Sequence, residues 1–309
     1  MKINGHEIDI SDRDKVFFSE VGLTKGDLID YYAEISDVML PHIKRYPVSM
    51  QRYPDGVDVD GWYAKDARDY FPDWIERVNF SKKEGGSFDA PIVDSKSALV
   101  YLADQAVIAF HTYLSRVDDL ERPDKMVYDL DPPEETKDYD SVRFAALKLH
   151  EALTELEINA WVQTTGSKGF HVIVPLDRGW GFDKVRDFAD DLSLLLVRRY
   201  PEKLTLEQRK KKREGRIYMD TYRNSYGATA VAPYSVRALP EAPVATPVSW
   251  DEVESGANPR DWSIENIQNR LGQKEDPWKG MMRHAQSLES HQEKLKELLS
   301  DEEPAEEEG

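Results

Sequence analysis

The nine residues Lys125–Pro133, KMVYDLDPP, constrain the chain more than any other stretch. Met126, Val127 and Tyr128 are apolar, β-branched and aromatic in turn, and a Pro-Pro breaker follows, which predicts the end of a strand. Side chains alternate faces along a strand, so Asp129 and Asp131 share one face and Tyr128 and Leu130 the other. Their Cα atoms are then roughly 6.6 Å apart, at about 3.3 Å per residue. Carboxylates held that close raise one another's pKa unless a cation lies between them. Hard divalent ions that take oxygen ligands, Mg²⁺ or Mn²⁺, meet that need. A solitary D-x-D-P also reads as an Asx-Pro turn with two solvated acids, and the residues downstream weigh between the two.

A chain of 309 residues buries a large core, as one big domain or two tightly joined lobes. No apolar run approaches the roughly 18 residues that cross a membrane, and MKINGHEIDI lacks the apolar core of a signal peptide. Without cysteine there are neither disulfides nor thiolate metal sites. A cytoplasmic enzyme with no membrane partner fits. The formal charge of −18 argues at first against a polyanionic partner. Its distribution weakens the objection. The segment Asp301–Gly309, DEEPAEEEG, holds six acids and no base and reads as a disordered tail. Arg209–Arg216, RKKKREGR, holds six bases against one acid, a local stripe for phosphates or else a solvated helix face.

Thr24 is a plausible N-cap for a helix to Leu40, with Leu28, Tyr31, Tyr32 and Ile35 at helical spacing and Pro41 as its end. Strands are expected at Pro47–Tyr53, Val57–Ala64, Trp74–Phe80 and Ala106–His111, and a helix at Ser95–Gln105. Beyond the aspartate pair, Tyr139–Glu157 is the clearest helix, with Val142, Ala145, Ala146, Leu149, Leu153 and Leu156 on one stripe. Ala160–Thr165 and Phe170–Leu176 read as strands joined by Gly166–Gly169. Phe182–Tyr200 is an amphipathic helix, Arg216–Met219 and Thr229–Ala232 are short strands, and helices are expected over Asp251–Gln268 and Arg283–Leu299. The pattern predicts an α+β fold with helices on a mixed or antiparallel sheet.

Thr164–His171, TTGSKGFH, allows a tight turn whose backbone N–H groups face an anion, with Thr165, Ser167 and Lys168 as further donors. The spacing is not that of a Walker A loop, and a strand follows it. His171 shares a strand face with Ile173 and Pro175, and by itself reads as a satisfied core histidine before it reads as a ligand. Asp220 ends the short strand of GRIYMD, directly after the basic run. Brought beside Asp129 and Asp131, it would complete a site for two metals about 3.5–4 Å apart. Arg237 follows ATAVAPYSV and offers a guanidinium for bidentate phosphate contacts.

Taken in order, VYDLDPP, TTGSKGFHVIVPL, KKREGRIYMD with TYRN, and GATAVAPYSVRALPEAPV ending in VSWDEV carry a resemblance. The sequence resembles the polymerase domain of the non-homologous end-joining ligase D of bacteria and archaea, within the archaeo-eukaryotic primase (Prim-Pol) superfamily, from about Asp14 to Trp250. The resemblance implies a Prim-Pol α+β fold over 1–300: an N-terminal part to about 120, a catalytic core over about 121–250 and C-terminal helices over 251–300. It implies two Mn²⁺ or Mg²⁺ ions on Asp129, Asp131 and Asp220. One would lower the pKa of a primer 3′-hydroxyl, and the other would stabilise the triphosphate and leaving pyrophosphate during in-line attack. Thr165, Ser167, Lys168, His171 and Arg237 then cradle the triphosphate of an NTP or dNTP, with Arg213 a further nucleotide-side cation.

By the same resemblance Lys15 and Lys25 grip the 5′-phosphate of a recessed DNA end, and Arg52 and Lys65 contact backbone or nucleotide. Trp62 and Tyr63 occupy the place of a paired aromatic that stacks on bases. Strand alternation sends those two rings to opposite faces, so one of them is expected in the core. The implied activity is template-dependent extension of 3′ ends at gaps and double-strand breaks, preferring ribonucleotides and Mn²⁺, in a prokaryotic, nucleoid-associated repair pathway. The chain holds no K-x-D-G adenylation motif, so a separate DNA ligase is expected, with a Ku-like end-binding protein. A primase or lesion-bypass polymerase would use the same metal site without the 5′-phosphate pocket. A non-catalytic end-synapsis module and a metal-dependent phosphodiesterase fit the residues less well.

Overall fold

Two β-sheets carry the fold in the computed structural model, which describes residues 1–132 and 139–302. Pro133 of the Pro-Pro breaker and the acidic tail from 303 onward lie outside the described residues. The N-terminal half runs β1 (Lys2–Ile3), β2 (His6–Glu7), β3 (Val16–Phe18), β4 (Leu23–Thr24), α1 (Lys25–Ile43), β5 (Val48–Arg52), β6 (Trp62–Ala64), β7 (Arg77–Ser81), β8 (Ser87–Pro91), α2 (Lys96–Asp104) and β9 (Val107–Tyr113). The second half runs β10 (Lys125–Asp131), α3 (Tyr139–Glu155), β11 (Trp161–Thr164), β12 (Phe170–Pro175), α4 (Phe182–Arg199), β13 (Leu204–Thr205), β14 (Ile217–Asp220), β15 (Thr229–Val231), β16 (Pro247–Val248), α5 (Trp250–Glu254), α6 (Ile267–Gln273) and α7 (Gln292–Asp301). No helix among the described residues is long and apolar enough to cross a membrane.

A mixed six-stranded sheet has the order β13-β14-β10-β12-β11-β16, antiparallel except for β13 with β14. A four-stranded antiparallel sheet has the order β15-β9-β5-β6. Alternation along β10 divides its residues cleanly. Met126, Tyr128 and Leu130 enter one core with Val142, Leu149 and Leu153 of α3 and Phe188 and Leu192 of α4. Asp129 and Asp131 are thereby turned to the other face, toward the four-stranded sheet. Gln163 of β11 donates from Nε2 to the Val231 carbonyl of β15 at 3.1 Å and ties the two sheets at that face. A second core joins α1 and α2 to β5 and β9 through Leu28, Tyr32, Ile35, Leu99, Met50 and Phe110.

Thr24 caps α1 in a reciprocal box: its Oγ1 accepts from Asp27 N–H, and its own N–H donates to Asp27 Oδ2 at 2.7 Å. Pro41 does not end this helix, which continues to Ile43. Its ring removes one bond near the last turn, next to exposed Asp37, while the wholly buried Ile43 holds the turn against the core. The helix expected over 251–268 is instead two short ones, because Gly256 (φ +101°) and Pro259 break it between α5 and α6. The expected helix over 283–299 begins only at Gln292, after 3₁₀ turns at Met281–His284 and Glu289–His291. The expected strand over 57–64 shrinks to Trp62–Ala64, since the turn packs so closely that a Cβ on Gly61 would meet the Arg52 carbonyl at 2.4 Å.

Tyr32 links these parts. Its buried hydroxyl donates to the Ile108 carbonyl of β9 at 2.6 Å and accepts from the Val236 N–H at 3.0 Å, beside Arg237. Tyr32→Phe leaves two buried backbone groups unpaired and should cost about 1–3 kcal/mol of stability by urea unfolding. A loss under about 0.5 kcal/mol would show that these bonds do not tie the helix to the sheet.

Candidate active site

The register of β10 assembles the acids. Asp129 stands directly opposite His171 of β12 on one side and Asp220 of β14 on the other. His171 Nε2 lies 3.4 Å from Asp129 Oδ1, and Arg223 reaches Oδ2 with Nε at 3.1 Å and Nη2 at 3.0 Å. Arg223 is placed there by its neighbour. Asn224 accepts from the Val127 N–H and donates to the Val127 carbonyl, both at 2.8 Å, so its side chain continues the ladder where β14 has ended.

These neighbours divide the three carboxyl groups electrostatically. Burial alone would push Asp129 up, but His171 and Arg223 outweigh it and hold the group well below the usual carboxylate range. Asp131 is pushed up to about 6, by burial first and by Asp129 and Asp220 next, with Arg213 and Arg223 opposing. Asp220 is also raised, chiefly by burial, against the Tyr222 N–H that it accepts at 2.8 Å. No three carboxylates or imidazoles among the described residues converge closely enough to ligate one ion as they stand. The set fits a hard divalent cation by its chemistry: oxygen donors on neighbouring strands, two of them raised first by burial and then by neighbouring carboxylate charge, so that a cation among them would favour their ionised forms.

Opposite the acids lies the turn between β11 and β12. Gly169 is required there, since a Cβ would meet the Leu130 carbonyl at 2.1 Å, and Gly166 adopts φ +63°. Thr165 Oγ1 accepts from the N–H groups of Ser167 and Gly169, so its hydroxyl closes the turn itself. Arg237 donates from Nη1 to the Thr165 carbonyl at 2.6 Å while its Nε has no partner among the described residues. Asp129, Asp131, Thr165, Ser167, Lys168, His171 and Arg237 thus line one cleft of about 200 Å³.

Of the remaining residues singled out in the sequence, Tyr63 also lines that cleft and the others lie outside its lining. Arg213 is buried after the 3₁₀ turn Lys210–Lys212, donating to the carbonyls of Glu207 and Gln208 with its guanidinium 4.4 Å over the Tyr218 ring. Lys15 pairs with Asp55 at 2.7 Å, whereas Lys25 is buried against Asp104 at 2.7 Å and the Ser11 carbonyl at 2.9 Å. Arg52 donates to the Gln105 carbonyl and the Tyr70 hydroxyl and lies 5.7 Å over Trp62. Lys65 is exposed. Neither Trp62 nor Tyr63 enters the core: they are 44% and 55% exposed on the edge strand β6, of which only Ala64 is buried. Tyr63 instead meets the His111 ring edge-on at 5.4 Å and lines the cleft.

The sequence reading missed His111, Gln163, Arg223 and Asn224. His111 is buried with Nε2 unpartnered, and burial followed by Arg237 and Arg223 drives it well below its ordinary pKa, so it faces the cleft as a neutral imidazole. Gln163 Nε2 lies 3.3 Å from His171 Nδ1 and steadies that ring. The TYRN tetrapeptide held the signal for two of them.

Asp131 supplies a test of this electrostatics. The folded protein keeps its proton up to about pH 6, where the unfolded chain has released it near 3.9, so stability falls as pH rises across that window. In chelator, Asp131→Asn should be more stable than the parent at pH 7.5 by on the order of 1–3 kcal/mol, the gap closing near pH 4. Calorimetric unfolding at both pH values checks it, and a pH-independent difference would refute it.

Comparison with known proteins places this geometry. The family described as "LigD, primase-polymerase domain" matches residues 24–278. The multifunctional non-homologous end joining protein LigD of Pseudomonas aeruginosa is 33% identical over 275 residues, covering 88% of this chain and 32% of that protein. The bifunctional LigD of Bacillus subtilis is 29% identical, covering 91% of this chain and 45% of that protein. The chain therefore spans between a third and a half of these relatives. The solved polymerase domain of Mycobacterium tuberculosis ligase D in complex with DNA superposes with a TM-score of 0.84 at 28% identity, covering 90% of this chain and 99% of that one. The expected α+β fold is the one observed, and the chain belongs to the LigD primase-polymerase domain family.

Proposed function

We propose that this chain is a template-dependent nucleotidyltransferase that extends 3′ ends at gaps and double-strand breaks in DNA end joining. One observation carries the reading: β-sheet register sets Asp129 between His171 and Asp220, facing an anion-suited turn with Arg237 across a single cleft. Asp129, Asp131 and Asp220 would hold the divalent ions, Mn²⁺ or Mg²⁺. When bound, such ions supply charge neutralisation at the attacking and leaving oxygens of an in-line displacement. The chain's own residues do the positioning. Lys168, His171 and Arg237 orient the triphosphate of an incoming NTP or dNTP, and Arg213 stands behind Asp131. Ser167 offers its side-chain hydroxyl at the turn, its backbone N–H being given to Thr165 Oγ1. Thr165 acts through the turn it closes.

Tyr63, Trp62 and Arg52 form an exposed edge suited to stacking on bases, with Lys65 beside it on the strand's far end. Ribonucleotide preference, sealing by a DNA ligase and a Ku-like end-binding partner belong to this reading by family likeness. Lys25 favours a second reading, priming or lesion bypass, because its charge is already spent on Asp104. Lys15, 40% exposed on its side chain, is the lysine left to meet a 5′-phosphate.

Primer extension on gapped DNA in Mn²⁺ tests both readings, with ribo- or deoxyribonucleotides and with or without a 5′-phosphate on the downstream strand. Asp129→Ala and Asp220→Ala should each lower extension at least about a hundredfold while the fold survives. A folded variant that retains normal extension would sink the metal-ligand assignment. Lys15→Ala should weaken extension only on 5′-phosphorylated gaps. Equal loss on 5′-hydroxyl substrates would move the assignment to priming or bypass. Lys25→Ala is the poorer probe, since it leaves Asp104 buried without its cation.

A further inference from the structure

A cavity of about 630 Å³ opens at the far end of β10 from the acids, about three times the 200 Å³ of the catalytic cleft. Its size is ordinary for a small-molecule site, which spans about 300–1,000 Å³. Tyr46, Arg116 and Lys125 line one part of it, and Val38, Leu271 and Met282 give it apolar wall.

Lys125 is the unusual member. It is 8% exposed, its Nζ lies 3.8 Å from the Tyr46 ring centroid, and its one hydrogen bond among the described residues is a long one, 3.5 Å to Thr112 Oγ1. An ammonium has three donors to satisfy. The adjacent carboxylate acts on it only through its charge and gives it no hydrogen bond: Asp124 Oδ2 is taken by Arg116 Nε at 2.6 Å and by the Tyr46 hydroxyl. Burial, the largest influence, lowers Lys125 to about 8, so it is still a cation at neutral pH.

The charges around the mouth are mostly cancelled. Asp276 is held by His42 at 2.6 Å and the Tyr234 hydroxyl at 2.9 Å, Glu275 pairs with Lys279, and Lys274 pairs with Glu252 at 3.0 Å. Among the described residues no ion pair is made by Lys125, by Arg283 or by the single remaining lining acid, Asp37. His42 balances Asp276 only when protonated, so the mouth carries little net charge, and what is left over locally is the ammonium of Lys125 at the end of an apolar wall.

We infer that this cavity is a binding site for a small organic anion, an apolar ring carrying one phosphate, carboxylate or sulfonate group, with that group on Lys125 and Arg116. The site shares no residue with the catalytic cleft, so it stands whether or not the nucleotidyltransferase reading does. The bare alternative is a lysine kept only as a cation over Tyr46.

Fluorescence titration of the full chain with 8-anilinonaphthalene-1-sulfonate, a ring-bearing sulfonate, tests it. The parent should bind one equivalent with enhanced emission, displaced by phenyl phosphate or by benzoate. Lys125→Met, which keeps the length and removes the charge, should weaken the probe at least about tenfold. Leu271→Trp, which fills the wall without touching the lysine, should weaken it as much, while Asp131→Asn in the catalytic cleft should not. Binding that is equal in the parent and Lys125→Met would overturn the inference. So would absence of binding to the folded parent, indifference to both competitors, or displacement by gapped duplex DNA.

Discussion

An ionised carboxylate inside a protein needs partners that replace water, and at Asp129 they arrive from two other segments of chain. His171 comes from the strand paired on one side, and Arg223 from the turn that follows the strand paired on the other. Both partners depend on register. A one-residue slip of β10 would turn Asp129 into the core of Tyr128 and Leu130 and bring those rings and methyls into the cleft. The packing of α3 and α4 against the even-numbered residues of β10 therefore fixes the chemistry on the odd-numbered ones.

The same contact explains why the three acids are not equivalent. Asp129 takes the cations, so its charge is retained, while burial first and repulsion from Asp129 next raise Asp131 and Asp220. Asn224 is as necessary to this as the charged groups. By bonding both backbone groups of Val127 it carries the chain from β14 back along β10, which sets the neighbouring Arg223 beside Asp129. One amide thus converts a strand end into a charge-positioning turn.

Features local in sequence were legible, and features set by pairing were not. Alternation across MVYDLD placed both aspartates on one face, and Gly166 and Gly169 marked a turn whose tightness the Leu130 carbonyl enforces. The cap at Thr24 was readable, but Pro41 misled, because the burial of Ile43 outweighs one lost helical bond. Trp62 and Tyr63 misled for the converse reason. Alternation says that two rings point opposite ways, yet it does not say that an edge strand has something on either side. His111 and Gln163 carry no local mark at all, since a polar residue within an apolar strand acquires meaning only from the sheet it faces. Lys25 is a lysine that the sequence alone leaves on the surface, and Asp104, seventy-nine positions later, buries it.

Net charge illustrates the same limit from another direction. A chain at −18 repels a polyanion at long range, yet Coulomb forces between exposed charges fade over about 8–10 Å at physiological salt. Inside the cleft the sum that matters is local: Arg223, Arg237 and Lys168 against the acids, with His111 neutral and Arg213 lowering Asp131 from behind. Neutralising those acids would leave this wall cationic, so any attraction of the cleft for an anion is conditional on what the carboxylates hold. An acidic exterior with a conditionally cationic cleft gives weak steering and strong dependence on occupancy, and selectivity then rests on fit at short range rather than on capture from a distance.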